Sequence, residues 1–120
     1  MCGIAGLVFR DPARSPDSAV LRRMAGILRH RGPDGDGFHA APGVGFGFRR
    51  LAIIDLATGG QPMSSGAGNV VAMCNGEIYN HAALRTRLAA AGHRFRSASD
   101  AEVVVHLYED HGDAFVDHLR

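Results

Sequence analysis

Residues 1–10 read MCGIAGLVFR. A cysteine sits directly behind the initiator methionine, and a small-residue, β-branched apolar run follows. The run 3–9, GIAGLVF, has the composition of a buried strand. No strand or helix preference explains the cysteine. It is either a small apolar residue at a frayed terminus or a nucleophile exposed by removal of Met1. In the second case Cys2 carries a thiol and a free α-amine on one carbon. Those two groups titrate within about a unit of each other, slightly above neutrality. The amine can then take the thiol's proton directly or through one water, so nucleophile and base belong to one residue.

Outward from that stretch, 18–31 (SAVLRRMAGILRHR) places Val20, Leu21, Met24, Ile27 and Leu28 at helical spacing. Ser18 is the expected N-cap, and Gly32-Pro33 the stop. Residues 37–41 and 44–48 flank Pro42-Gly43, a hairpin signal. RLAIIDL (50–56) and VVAMC (70–74) read as strands, and 57–69 as a flexible loop of small residues. Residues 81–92 are expected to form a helix capped by Asn80 and stopped by Gly92, and RFRS (94–97) a short strand. SDAE (99–102) has the form of a capping box opening a helix to about Gly112, with a further helix beginning at 113. Strands and helices in this order predict an α+β domain over residues 1–120.

Composition excludes several classes. The 120 residues carry a formal net charge of +1, which gives no case for nucleic-acid or membrane partners. No apolar run is long enough to span a bilayer, and the N-terminus lacks a signal-peptide pattern. The expected compartment is therefore the cytoplasm, where Cys2 and Cys74 stay reduced. Cys74 is expected to be a buried strand thiol. The seven histidines lack ligand spacing along the sequence; His106 and His111 miss the i, i+4 interval. All seven are read as non-ligands, and no metal is expected. Arg29, His30 and Arg31 at a helix end are assigned no chemistry.

A thiol attacking a carboxamide needs an oxyanion hole. Asn75 and Gly76 supply a side-chain amide and a backbone N–H at a strand end, suited to one oxygen. Asn-Gly is also the strongest short hairpin signal, but EIYNHAALR after it reads as cap and helix. Glu77 could equally be a solvated turn residue, and Asp100 a first-turn acid favoured by the helix dipole.

Five segments, MCGIAGLVF, RHRGPDGDG, RRLAIIDLATGGQP, NGEIYNH and SDAEVVVHLY, together resemble the glutaminase domain of class II glutamine amidotransferases. These are N-terminal-nucleophile hydrolases. The motif forms are most similar to those of glutamine-hydrolysing asparagine synthetases. The resemblance implies a four-layer αββα sandwich, present here as its N-terminal part and truncated on the C-terminal side. It implies that Cys2, freed of Met1, attacks the side-chain amide of glutamine, with Asn75 and Gly76 as oxyanion hole. Arg50 would hold the substrate α-carboxylate, since a guanidinium fork suits a planar carboxylate. Arg49, pointing the other way on a strand, is expected at the surface. Glu77 and Asp100 would bind the substrate ammonium, and the backbone of Ile53 and Ile54 would line the site.

The pyrophosphate-binding signature of the family's synthetase domain is not in the sequence. No cofactor is expected in this segment; ATP and magnesium would belong to that C-terminal domain, the implied partner. A homodimer is compatible with the reading. Two other functions stay open: an amidotransferase of the same class acting on another carboxylate acceptor, and a non-catalytic, truncated binding module.

Overall fold

The computed structural model describes every residue except Ile54 and Leu56. The chain is a mixture of α and β elements, and its contacts divide it into two compact units. The first comprises residues 1–52 and 60–62, the second 53–59 and 63–120.

The first unit is one three-stranded antiparallel sheet and one α-helix, continued by a 3-10 turn at Leu28–His30. Strands β1 (Gly3–Val8), β2 (Gly35–Ala41) and β3 (Val44–Arg50) lie in the order β1-β3-β2. The β2–β3 hairpin turns at Pro42-Gly43, where Gly43 has φ +84°. Helix α1 (Ser18–Ile27) is capped by Asp17, one residue earlier than expected; its carboxylate accepts the Ala19 N–H at 2.7 Å. Aspartate is as good a cap as serine, and here its extended backbone sets the entry. The helix buries Leu21 and Ala25 against the sheet. Close approach is possible because the facing strand position is a glycine: a Cβ on Gly47 would lie 3.1 Å from Ala25 Cβ. Phe48, the next residue and so on the other face, is fully buried. β1 is less buried than its composition predicted, since Ile4 is 43% and Val8 81% exposed.

In the second unit a small hairpin, β4 (Met63–Ser64) and β5 (Val71–Ala72), precedes helices α2 (His81–Ala90) and α3 (Val103–His111). The stretch expected to be flexible contains β4 and a hydrogen-bonded turn. The Ser65 hydroxyl donates to Asn69 Oδ1 at 2.9 Å, and Ser65 N–H to Val70 O. Leu84 and Leu88 of α2 meet Val103 and Leu107 of α3, with Ile78 completing the cluster. Both pairs are i, i+4, which stacks them on one face of each helix. Ala101 and Val105 turn instead toward Met63, Val70, Ala72 and Cys74.

Several local expectations are corrected. No described residue of 50–56 beyond Arg50 is in a strand; Ile54 and Leu56 lie outside the described residues. Asp55 takes a left-handed φ of +51° and its carboxylate accepts from Thr58 N–H at 2.9 Å, which turns the chain. RFRS is not a strand either, and VVAMC keeps strand geometry only at 71–72. Cys74 is thus half-buried beyond the strand. Ser99 does not cap with its side chain, and Asp100–Glu102 form a 3-10 turn. Asn80 does not cap α2; its side chain donates to His118 O and accepts Arg120 N–H. Gly92, with φ +103°, follows the last turn of α2 as expected, and Gly112 stops α3. Gly112–His118 is a 3-10 helix.

Candidate active site

Cys2 continues the β1 end of the sheet. Because Gly3 pairs with Arg49, position 2 falls opposite Arg50. Alternation then gives Cys2 and Arg50 one face and Arg49 the other. The Cys2 sulfur accepts the Leu51 N–H at 3.3 Å, and its S–H donates to Leu51 O at 3.7 Å. Met1 is 74% exposed, within reach of a processing enzyme.

The segment RHRGPD explains how this corner is held, although Arg31 within it carries no chemistry in the sequence reading. Arg31 Nε donates to the Cys2 carbonyl at 3.1 Å. Gly32 lies against the backbone of Arg49, where a Cβ would come within 2.4 Å of the Arg49 carbonyl atoms. Asp34 grips the strand end twice: its N–H donates to Arg50 O at 3.0 Å, and its carboxylate accepts Ala52 N–H at 2.9 Å. Arg31 and Asp34 therefore fix both sides of the Cys2–Leu51 contact. The available signal was position: two charged residues around a Gly-Pro that ends a helix. Arg49 is a correction. Its side chain is only 11% exposed, donating to Gly32 O at 3.0 Å and pairing with Asp36 at 3.0 Å.

The other candidate residues belong to the second unit. Asn75, Gly76 and Glu77 are exposed on the stretch between β5 and α2. Asp100 is buried at 6% exposure, and its Oδ2 accepts the Ile78 N–H at 2.8 Å. It therefore anchors the Asn-Gly-Glu stretch through the backbone of the following residue. A solvated helix-dipole acid would not be buried in this way. Ile53 is 64% exposed, and Ile54 lies outside the described residues.

Glu102 supports the same turn. Burial pushes its carboxyl up, but the Ser97 hydroxyl, the Arg96 and Ser97 N–H groups and the Arg85 guanidinium outweigh that. It is held below the usual carboxylate value. The three hydrogen bonds measure 2.6, 2.7 and 2.9 Å.

A thiol at position two, braced by a backbone amide and by an arginine on its own carbonyl, defines a class: the chain belongs to the glutamine amidotransferase domain family, whose model matches residues 1–120. Among its relatives are the glutamine-hydrolysing asparagine synthetase 2 of Bacillus subtilis, 45% identical over 121 residues, and asparagine synthetase 3 of Arabidopsis thaliana, 44% identical over 120. Each alignment covers 99% of this chain. The asparagine synthetase of Asparagus officinalis is 45% identical over 120 residues. The chain spans 16% to 20% of the length of these relatives.

Proposed function

We propose that this chain is glutaminase sequence of an asparagine synthetase, releasing ammonia from glutamine for the ATP-dependent amidation of aspartate. The observation that carries the reading is the bracing of Cys2 by Leu51 and Arg31. A nucleophile must be held rigidly to be useful. After loss of Met1, the α-amine takes the thiol proton as sulfur attacks the glutamine side-chain carbonyl. Asn75 and Gly76 stabilise the oxyanion. The carbon–nitrogen bond breaks, the amine returns its proton to the leaving ammonia, and a glutamyl thioester remains. Water then cleaves the thioester to glutamate and free thiol.

Arg50 holds the substrate α-carboxylate, and Glu77 and Asp100 its ammonium. The resemblance assigns the backbone at 53–54 to the same substrate. In this reading the fold is part of a four-layer αββα sandwich, and the protein works in the cytoplasm. Its partner is a C-terminal synthetase domain, to which ATP and magnesium belong.

The test is Cys2→Ala in the full-length protein. Glutamine-dependent asparagine formation should vanish, while synthesis from added ammonia should persist. Retention of glutaminase activity would overturn the mechanism. Ammonia-dependent amidation of an acceptor other than aspartate would overturn the synthetase assignment alone.

A further inference from the structure

The second unit holds a cluster that the glutaminase reading does not use. His93 precedes the 94–97 stretch, and His106 and Glu109 lie three residues apart on one face of α3. His93 Nδ1 and His106 Nδ1 are 3.2 Å apart, and each is 3.6 Å from Glu109 Oε2. A triangle with these sides has its centre about 2.0 Å from all three atoms, the bond length of zinc to imidazole nitrogen and carboxylate oxygen. Sequence spacing could not reveal this, because the histidines come from separate segments.

The outer nitrogens favour the same conclusion. His93 Nε2 lies 2.9 Å from Asp110 Oδ1. An ionised carboxylate only accepts, so His93 carries its hydrogen on Nε2 and turns the Nδ1 lone pair inward. With both rings neutral and no metal, His106 must then donate from Nδ1 to His93. That would leave a lone pair on His106 Nε2, facing Glu102 Oε1 at 3.9 Å. His106 is buried at 2% exposure, and its Nε2 has no hydrogen-bond partner. A second proton on His106 or a cation at the centre of the triangle removes the conflict, and the three ligand-atom separations favour the cation. Both Nδ1 lone pairs point at the metal, and both Nε2–H groups face carboxylates. For His93 this is the outer arrangement that orients metal-binding histidines.

We propose that His93, His106 and Glu109 bind one divalent transition-metal ion of the zinc class, with a fourth position open to water. Asp110 orients the His93 imidazole through its 2.9 Å contact, while Glu102 supplies a negative charge 3.9 Å from His106 Nε2. The ion would tie the 93–97 stretch to α3, in the unit that carries Asp100.

The test uses full-length protein in a Cys2→Ser, Cys74→Ser background, which removes the two thiols of this segment. Chelator-stripped protein is titrated with Zn2+ against a chromophoric chelator. The parent should take up one equivalent more zinc than either Glu109→Gln or His93→Gln. Glu109 is partly exposed, so its variant should fold, as circular dichroism would verify. Asp110→Asn should weaken uptake by about 10–100-fold. Equal uptake by the parent and both variants, or loss in only one of them, would overturn the site. So would failure of the parent to bind zinc at micromolar free metal.

Discussion

At Cys2 the decisive contacts are made by backbone and by a neighbour assigned no chemistry from sequence. Arg31 holds the Cys2 carbonyl through a charge-assisted bond, worth about 1.5–3 kcal/mol. Arg31→Ala should lower kcat for glutamine hydrolysis more than it raises KM, because it loosens the nucleophile rather than the substrate. Equal loss through KM alone would point to substrate contact instead. Arg50 and Arg49 should separate cleanly. Loss of a carboxylate clamp at Arg50 should raise the KM for glutamine about tenfold to several hundredfold, with Lys rescuing in part. Arg49→Ala should leave KM unchanged and reduce stability by about 1–3 kcal/mol, since it abandons a buried carbonyl and Asp36. Glutamate release across a glutamine series, paired with denaturant unfolding, tests all three. A KM effect at Arg49 and none at Arg50 would move the clamp.

At the scale of elements, α1 was legible because Val20, Leu21, Met24, Ile27 and Leu28 repeat at its period, whereas α2 and α3 were placed from Asn80, Gly92 and SDAE, of which Gly92 alone acts as expected. The β2–β3 hairpin was legible from Pro-Gly between apolar runs. Residues 50–56 misled because apolar composition says nothing about Asp55, whose side chain turns the backbone at positive φ. SDAE misled because Glu102 had better partners than its own helix end: it reaches the backbone of Arg96 and Ser97. That choice has a pH signature. Because the folded carboxyl is held low, its contribution is present above the ordinary carboxyl value and is lost as pH falls through the folded one. Glu102→Gln should remove that acid sensitivity and cost about 1.5–3 kcal/mol at neutral pH. Unfolding midpoints measured from pH 7 downward should converge for the two proteins at low pH. Gly32→Ala should be worse, since its methyl group meets backbone rather than a yielding side chain.

At the scale of the molecule, each unit was legible to a different depth. The residues of the candidate site were marked by motif; what holds them was not, because Arg31, Asp34 and Asp100 act across long sequence separations. One such long-range contact lies at residues 79–80. Tyr79 N–H donates to Arg120 O at 2.7 Å, and Arg120 N–H donates to Asn80 Oδ1 at 3.0 Å. The amides of Tyr79 and Arg120 are thus hydrogen-bonded between the same two backbone segments, though they are far apart along the chain. In deuterated solvent they should exchange as one cooperative unit, with a common opening free energy. Asn80→Ala should accelerate both together while leaving amides of the β2–β3 hairpin unchanged. That shared exchange rate serves as a clock for how often the backbone just after the Asn-Gly-Glu stretch lets go of residue 120.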